Sequence, residues 1–393
     1  MLDPRRELAA LVGIDSVSSK PNAPVIDHLQ QVVEALGFKT RRLPFTDEAG
    51  LEKVNLLAAT SFDAPPALAL VGHTDTVPYD PSWAQALHLE EVDGRLYGRG
   101  ACDTKGFIAC ALAAASRSDL RRLQAPLMLV FTADEEVGCL GAKKLAEARA
   151  LFPRCAIVGE PTNLTPIRAH KGYCIAQVEV IGRQGHSAYP ALGASAILAA
   201  GALLSKIDDY ARSLDKAPRL RLVGDAREGS QPELSTAEGF DPPHTTLNVG
   251  LIQGGEAPNV IPGSCRFVLE WRPLPGEAPT RVLDAVRAMA HQVSQTHGVG
   301  VSVKGTRLDK GIETPAGSDL VRLLSGATGN APATVSYHTE APQLAELGAQ
   351  VAVFGPGDIK LAHATGENVP VADLEKCTEV LSQAIFRLCG GAA

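Results

Sequence analysis

His73 and Asp75 stand two residues apart in GHTDTVP, directly after the apolar run PALALVG. Asp103 follows GRLYGRGAC, Glu135 and Glu136 stand in TADEEVG, Glu160 in GEPTN, and His363 after VAVFGPGDIKLA. Neutral imidazole and carboxylate together suit Zn, Co or Mn. Two histidines and several carboxylates exceed what one ion needs, whereas two ions sharing a bridging carboxylate use them all. In two-metal hydrolytic sites the ions lie about 3.5–4 Å apart and bring the pKa of bound water down to about 7. The chemistry indicated is therefore metal-assisted hydrolysis. Singly, HTD reads as a turn and DEE as a solvated helix entry, and it is their shared placement that argues for a site.

The neighbours Glu135 and Glu136 divide the work. Successive side chains in extended backbone point to opposite sides. One carboxylate can bind metal while the other takes a proton as general base. Asp75 shares a face with His73, and its carboxylate can hold the ring nitrogen turned away from the metal. GRGACDTKG lacks the Lys-then-Ser/Thr that follows the second glycine of a phosphate-cradling loop. His28, His88, His291 and His297 read as ordinary histidines, and His170 in RAHKG stays open.

These residues need elements to hold them. Each is expected at the C-terminal end of a strand of the first domain, the edge at which open α/β sheets bind ligands. Residues 5–37 have helical periodicity, with Ile26, Leu29, Val32, Val33 and Leu36 at 3.6-like spacing and Gly37 as the stop. VNLLAAT, PALALVGH, PLMLVFTAD and CAIVGEP read as short buried strands, and GFIACALAAASRS and GCLGAKKLAEARAL as helices. Continuous apolar strands alternating with helices predict an α/β fold with a mostly parallel, doubly covered sheet. Near 172 the texture changes. GYCIAQVEVIGRQGHS alternates apolar and polar residues, and with HTTLNVGLIQGG, SCRFVLEWRPL and VGVSVKGTRLD it predicts a small antiparallel sheet. SAILAAGALLSKIDDYAR and TRVLDAVRAMAHQVSQTH supply two helices for one face. The polar, proline-broken stretch 212–244 reads as a long loop. After about 309 the α/β texture returns. The expected domains are 1–172 and 309–393, the two parts of a catalytic domain, with an inserted α+β (ferredoxin-like) domain at 173–308.

The bulk properties are those of an ordinary globular protein. The chain has 393 residues, 45% hydrophobic and 21% charged, enough for about two globular domains. A net charge of −7 gives no broad basic surface, which argues against nucleic acid and anionic membrane as partners. The N-terminus does not have the form of a signal peptide, and no run approaches the roughly 18–20 apolar residues of a membrane span. The eight cysteines are scattered with no C-x-x-C pair, which predicts reduced thiols and a cytoplasmic location.

The blocks GHTDTVP, GRGACDTKG, TADEEVG, GEPTN, GHSAYP, EWRPLPG and AHATGENV span nearly the whole chain. In this order they resemble the zinc-dependent aminoacylase family, which includes acetylornithine deacetylases, succinyl-diaminopimelate desuccinylases and glutamate-releasing carboxypeptidases. IVGEPTNLTPIRAHKGY and YHTEAP are most similar to the acetylornithine branch. The resemblance implies a cytoplasmic dinuclear amidohydrolase, with zinc first and cobalt or manganese as alternatives, acting on N2-acetyl-L-ornithine in arginine biosynthesis. N-acetylcitrulline and succinyl-diaminopimelate are the alternative substrates. An inactive, peptidase-like binding protein is the remote alternative.

It implies further that His73 and Glu160 hold one ion and Glu136 and His363 the second, with Asp103 bridging them and a cis peptide between Asp103 and Thr104. Glu135 is then the general base and Asp75 orients His73. The inserted domain serves as lid and dimer surface, and the protein as a homodimer. His186 in GRQGHSAYP matches a histidine that in relatives reaches the partner subunit's active site and steadies the oxyanion. Arg272 and Asn259 match positions that contact the substrate carboxylate, work suited to a guanidinium. Glu340 in YHTEAP is a candidate partner for a substrate ammonium.

Overall fold

The computed structural model describes residues 1–150, 152–215 and 239–390 in full, and 216, 221–223 and 233–235 by their backbone. The chain divides into two compact units. Residues 1–168, 314–333 and 339–393 form the first, and residues 169–313 and 334–338 the second. The chain begins with α1 (Pro4–Val12), α2 (Ala23–Ala35), β1 (Lys39–Thr46), β2 (Glu52–Ala59), β3 (Leu68–His73), β4 (Glu90–Val92), β5 (Arg95–Tyr97), α3 (Lys105–Ser116), β6 (Leu127–Thr132), α4 (Leu140–Glu147), β7 (Cys155–Val158) and β8 (Ile167–His170). Then come β9 (Tyr173–Ile181), β10 (Gly185–His186), α5 (Ala196–Lys216), β11 (Arg221–Val223), β12 (Glu233–Ser235), β13 (Thr246–Gly254), β14 (Val260–Ile261), β15 (Ser264–Arg272), α6 (Thr280–His297), β16 (Gly300–Asp309) and β17 (Ile312–Glu313). The return brings α7 (Asp319–Thr328), β18 (Ala333–Val335), α8 (Ala341–Glu346), β19 (Gln350–Val353), β20 (Asn368–Pro370) and α9 (Val371–Cys389).

The sheet of the first unit runs β1-β2-β6-β3-β7-β19, then β8. Its middle four strands, β6, β3, β7 and β19, are parallel. β1 and β2 pair antiparallel on one side and β8 on the other. β3 and β6 are buried at every position, as strands covered on both faces must be. α3, KGFIACALAAAS, is apolar on nearly all sides and sits within the core. Its Phe107 and Leu112 join Leu70 and Leu129 of the sheet and Leu374 and Leu381 of α9 in one apolar cluster. The sequence did not announce β1. KTRRLPFT is a half-exposed edge strand with a proline inside it, a position where no face has to be continuously apolar.

The second unit has a four-stranded antiparallel sheet, β13-β15-β9-β16. Val178, Val180, Phe267, Leu269 and Trp271 of the sheet form a core with Leu203 and Ile207 of α5 and Val286 and Val293 of α6. β9 alternates buried and more open positions along its length, the period-2 pattern its sequence shows. α6 ends at Gly298, whose φ of 64° is the left-handed cap that glycine favours.

The expected loop 212–244 is not a loop throughout. α5 continues to Lys216, and β11 and β12 pair antiparallel. Residues 217–220, 224–232 and 236–238 of that stretch lie outside the described residues. All eight cysteines are buried, and none forms a disulfide. Among the described residues no helix is long and apolar enough to cross a membrane.

Candidate metal centre

Strand register brings the site together. In the parallel pairing His73 stands level with Thr132, and Val71 with Val158. Two residues beyond His73, Thr132 and Val158 lie Asp75, Asp134 and Glu160. Glu160 is set by a close backbone approach: a Cβ on Gly355 would lie 2.5 Å from the Glu160 carbonyl oxygen, so that position must be glycine. Asp103 arrives differently from expectation. It follows β5 of a small sheet with β4 and β20 rather than a strand of the central sheet, and it immediately precedes Thr104, the residue that caps α3. The Asp103–Thr104 peptide is cis.

Glu135 and Glu136 also depart from expectation. They do not lie in extended backbone. Asp134 takes a left-handed φ of 56°, which ends the strand, and the next residues form a tight turn in which the N–H groups of Gly138 and Cys139 both donate to the Glu135 carbonyl. The turn, rather than strand alternation, separates the two carboxylates.

One carboxylate lies between the two histidines. Asp103 Oδ1 is 3.1 Å from His73 Nε2, and Asp103 Oδ2 is 3.2 Å from His363 Nε2. His363 Nε2 is also 3.0 Å from Glu136 Oε2. Ligand atoms of His73, Asp103 and Glu136 lie within 4.8 Å of one another, and so do those of His73, Glu135 and Glu160. The other ring nitrogen of His73 is nearest to the main-chain oxygen of Asp75, at 3.0 Å, and 3.6 Å from its carboxylate. That carboxylate is occupied otherwise: Oδ1 accepts the N–H of Glu135 at 3.0 Å, and Oδ2 accepts the N–H of Glu136 at 3.2 Å and the Ser18 hydroxyl at 2.8 Å.

Buried carboxylates dominate the electrostatics of the cluster. Burial, then neighbouring carboxylates, pushes Glu135 up to about 7, and burial with Asp103 and Glu135 pushes Glu160 well above the carboxylate range. Burial also raises Glu136. Burial opposes ionisation of Asp103, but hydrogen bonds from His363 and His73 outweigh it and hold the carboxyl below its ordinary value. The bonds to Asp103 and Glu136 raise His363 to about 10. The two imidazoles thus keep protons where the carboxylates concentrate. Buried charge must be paired or coordinate a metal, and this donor set suits a divalent cation of the Zn, Co or Mn type.

Glu340 is 1% exposed and belongs to the same surroundings. Its Oε1 accepts from Thr132 Oγ1 at 3.1 Å, and its Oε2 has no partner among the described residues. Burial first, with Glu135 and Asp75 adding, raises it to about 8. The remaining three candidates lie in the second unit. His186 pairs with Val260 in the β10–β14 ladder, next to Asn259, whose carbonyl accepts the N–H of Ser187 at 3.1 Å. His186 and Asn259 are both exposed. Arg272, at the far end of β15 from that ladder, lies 4.5 Å over the Tyr173 ring and 2.7 Å from Glu270.

Sequence reasoning passed over Glu367. Its Oε1 accepts the N–H groups of Cys102 and Asp103 at 2.9 and 3.0 Å, and its Oε2 pairs with Arg99 at 2.6 Å. It fixes the main chain that presents Asp103. The available signal was an acidic residue four places after His363. Lys53 and Asn55 were passed over as well, although two polar residues spaced by two at the head of an apolar strand are unusual.

A cluster of histidines and carboxylates beside a mixed α/β sheet is an arrangement suited to a metallohydrolase, and the sequence matches that class. The chain belongs to peptidase family M20/M25/M40, whose model matches residues 69–387. It is 53% identical to the acetylornithine deacetylase of Myxococcus xanthus over 390 residues, 98% of this chain and 98% of that protein. It is 34% identical to the acetylornithine deacetylase of Pasteurella multocida over 96% of this chain and 94% of that one. The fold is also that of a tripeptidase from Staphylococcus aureus, with a TM-score of 0.75, 21% identity and 99% of each chain covered.

Proposed function

We propose that the protein is a metal-dependent amidohydrolase that removes the acetyl group of N2-acetyl-L-ornithine, releasing ornithine and acetate. The observation that carries the reading is Asp103, a single buried carboxylate whose two oxygens face two different histidines. The full-length likeness to acetylornithine deacetylases supports the substrate.

His73 and Glu160 would hold one divalent ion, Glu136 and His363 a second, and Asp103 would bridge them. When bound, the ions supply Lewis acidity at the amide carbonyl and a nucleophilic water near neutral pH. Glu135 would take a proton from the attacking water as the new C–O bond forms, and deliver it to the amine nitrogen as the C–N bond breaks. Its buried, carboxylate-rich surroundings favour holding the proton between the two steps. His186 would reach the partner subunit's active site and donate to the oxyanion there, and Arg272 and Asn259 would bind the substrate carboxylate. Glu340 receives the side-chain ammonium: its free oxygen is buried, and an arriving cation would favour its ionised form. Zinc as the native metal, a homodimer formed through the second unit, and a cytoplasmic setting complete the reading.

The test is initial-rate kinetics on N2-acetyl-L-ornithine, N-acetylcitrulline and N-succinyl-diaminopimelate. Acetylornithine should give the highest kcat/KM, by about tenfold or more, a margin of about 1.4 kcal/mol. A higher value on either competitor would reassign the substrate.

A further inference from the structure

The second residue of β2 is a fully buried lysine. Lys53 has none of its surface exposed, and its ammonium uses all three donors: to Asp134 Oδ1 at 2.7 Å, to the Ser18 carbonyl at 2.5 Å and to the Lys20 carbonyl at 2.9 Å. Asp134 immediately precedes the Glu135–Glu136 turn. Ser18 donates its hydroxyl to Asp75, and Asp75 accepts the N–H groups of Glu135 and Glu136. The contacts therefore close on themselves: Lys53, Asp134, the turn, Asp75, Ser18 and Lys53 again. Asn55, on the same face of β2, spans the turn from outside. Its Oδ1 accepts from Ala133 N at 3.0 Å and its Nδ2 donates to the Gly141 carbonyl at 2.9 Å. A Cβ on Gly141 would lie 2.4 Å from Asn55 Oδ1, so the turn is drawn tightly against the strand.

We propose that Lys53 is a positioning residue, which closes a ring of buried polar contacts that sets the Glu135–Glu136 turn against Asp75. The proposal rests on the reading of Glu135 as base and Glu136 as metal ligand. The three hydrogen bonds of Lys53 go to none of the five proposed ligands. It acts by fixing both ends of the hydrogen bonds that aim the turn. Arginine cannot replace it, because a planar guanidinium cannot direct three donors at these three partners.

A buried lysine whose removal orphans Asp134 will also destabilise the fold, so the test separates stability from positioning. The variants are Lys53→Met, the double variant Lys53→Met/Asp134→Leu, which replaces the ion pair with apolar groups, and Ser18→Ala, which opens the ring without orphaning a charge. Amide hydrogen exchange over residues 132–141 is measured on metal-free protein, so this readout stands even if the proposed activity fails. The double variant should recover the melting temperature lost in Lys53→Met. It should still exchange the Glu135 and Glu136 amides at least about tenfold faster than wild type, and its kcat should stay roughly 10–100-fold low, the usual cost of losing a group that orients metal ligands, with KM little changed. Ser18→Ala should show the same signature more weakly at native stability. Recovery of kcat together with stability in the double variant, or unchanged exchange at Glu135 and Glu136 in Lys53→Met and Ser18→Ala, would overturn the proposal.

Discussion

Asp75 holds the main chain of Glu135: its Oδ1 accepts that residue's N–H at 3.0 Å, closer than the 3.6 Å that separates the same oxygen from the His73 ring. The aspartate of HTD is thus shared between two parts of the site. Its carbonyl fixes the tautomer-determining nitrogen of His73, and its carboxylate fixes the turn that carries Glu135 and Glu136.

Asp75→Asn therefore tests more than a histidine contact. The amide keeps one acceptor oxygen and turns an NH2 group toward an N–H that needs an acceptor. Turnover should fall roughly 10–100-fold, as for other groups that orient metal ligands, with the melting temperature of the metal-loaded protein shifted by only a few degrees. Steady-state kinetics beside a thermal melt checks this, and an unchanged kcat would contradict the role.

Glu135→Gln removes the proposed base but none of the five proposed ligands. Metal content should match wild type, while kcat falls by about 10²–10⁴, the range for a positioned acid–base group. Metal analysis and kinetics on the same preparation check both halves. Turnover within about tenfold of wild type would show that Glu135 is not the base.

Glu340→Gln should discriminate between substrates by side-chain charge. A hydrogen bond to a charged group contributes about 1.5–3 kcal/mol, roughly a 10–100-fold loss of kcat/KM on acetylornithine. N-acetylcitrulline, whose side chain is neutral, should lose less than about threefold on the same argument. Equal losses on both would remove Glu340 from the specificity site.

The metal-free protein should lose stability as pH rises. Burial lifts Glu135 from 4.5 to about 7 and Glu340 from 4.5 to about 8. Each binds its proton more tightly in the native state, so between the unfolded and native values the unfolded chain ionises first and stability drops. The melting temperature without metal should fall from about pH 5 to about pH 8, and Zn²⁺ should reduce that slope by supplying the charge the carboxylates lack. Melts across this range check it, and a rising melting temperature would contradict the assignment of these groups.

Much of the architecture was legible because pattern and burial coincide. β3 and β6 are continuously apolar and buried, and α6 begins and ends where TRVLDAVRAMAHQVSQTH does. β1 was not legible, since an exposed edge strand needs no apolar face. The candidate residues His73, Asp103, Glu136 and His363 could be picked out by residue type, but the turn that parts Glu135 from Glu136 could not: it depends on the left-handed backbone of Asp134 and on contacts from β2. Glu367 went unread for a similar reason, because its task is to receive the amides of Cys102 and Asp103, which lie far from it in sequence.

The most direct measurement is the rate of ornithine release from N2-acetyl-L-ornithine as Zn²⁺ is titrated into metal-free protein. Hydrolysis should be negligible at the start, rise with added metal and level off at about two equivalents per chain, as a bridged pair of ions requires. Full activity without metal, or no ornithine release at saturation, would contradict the account.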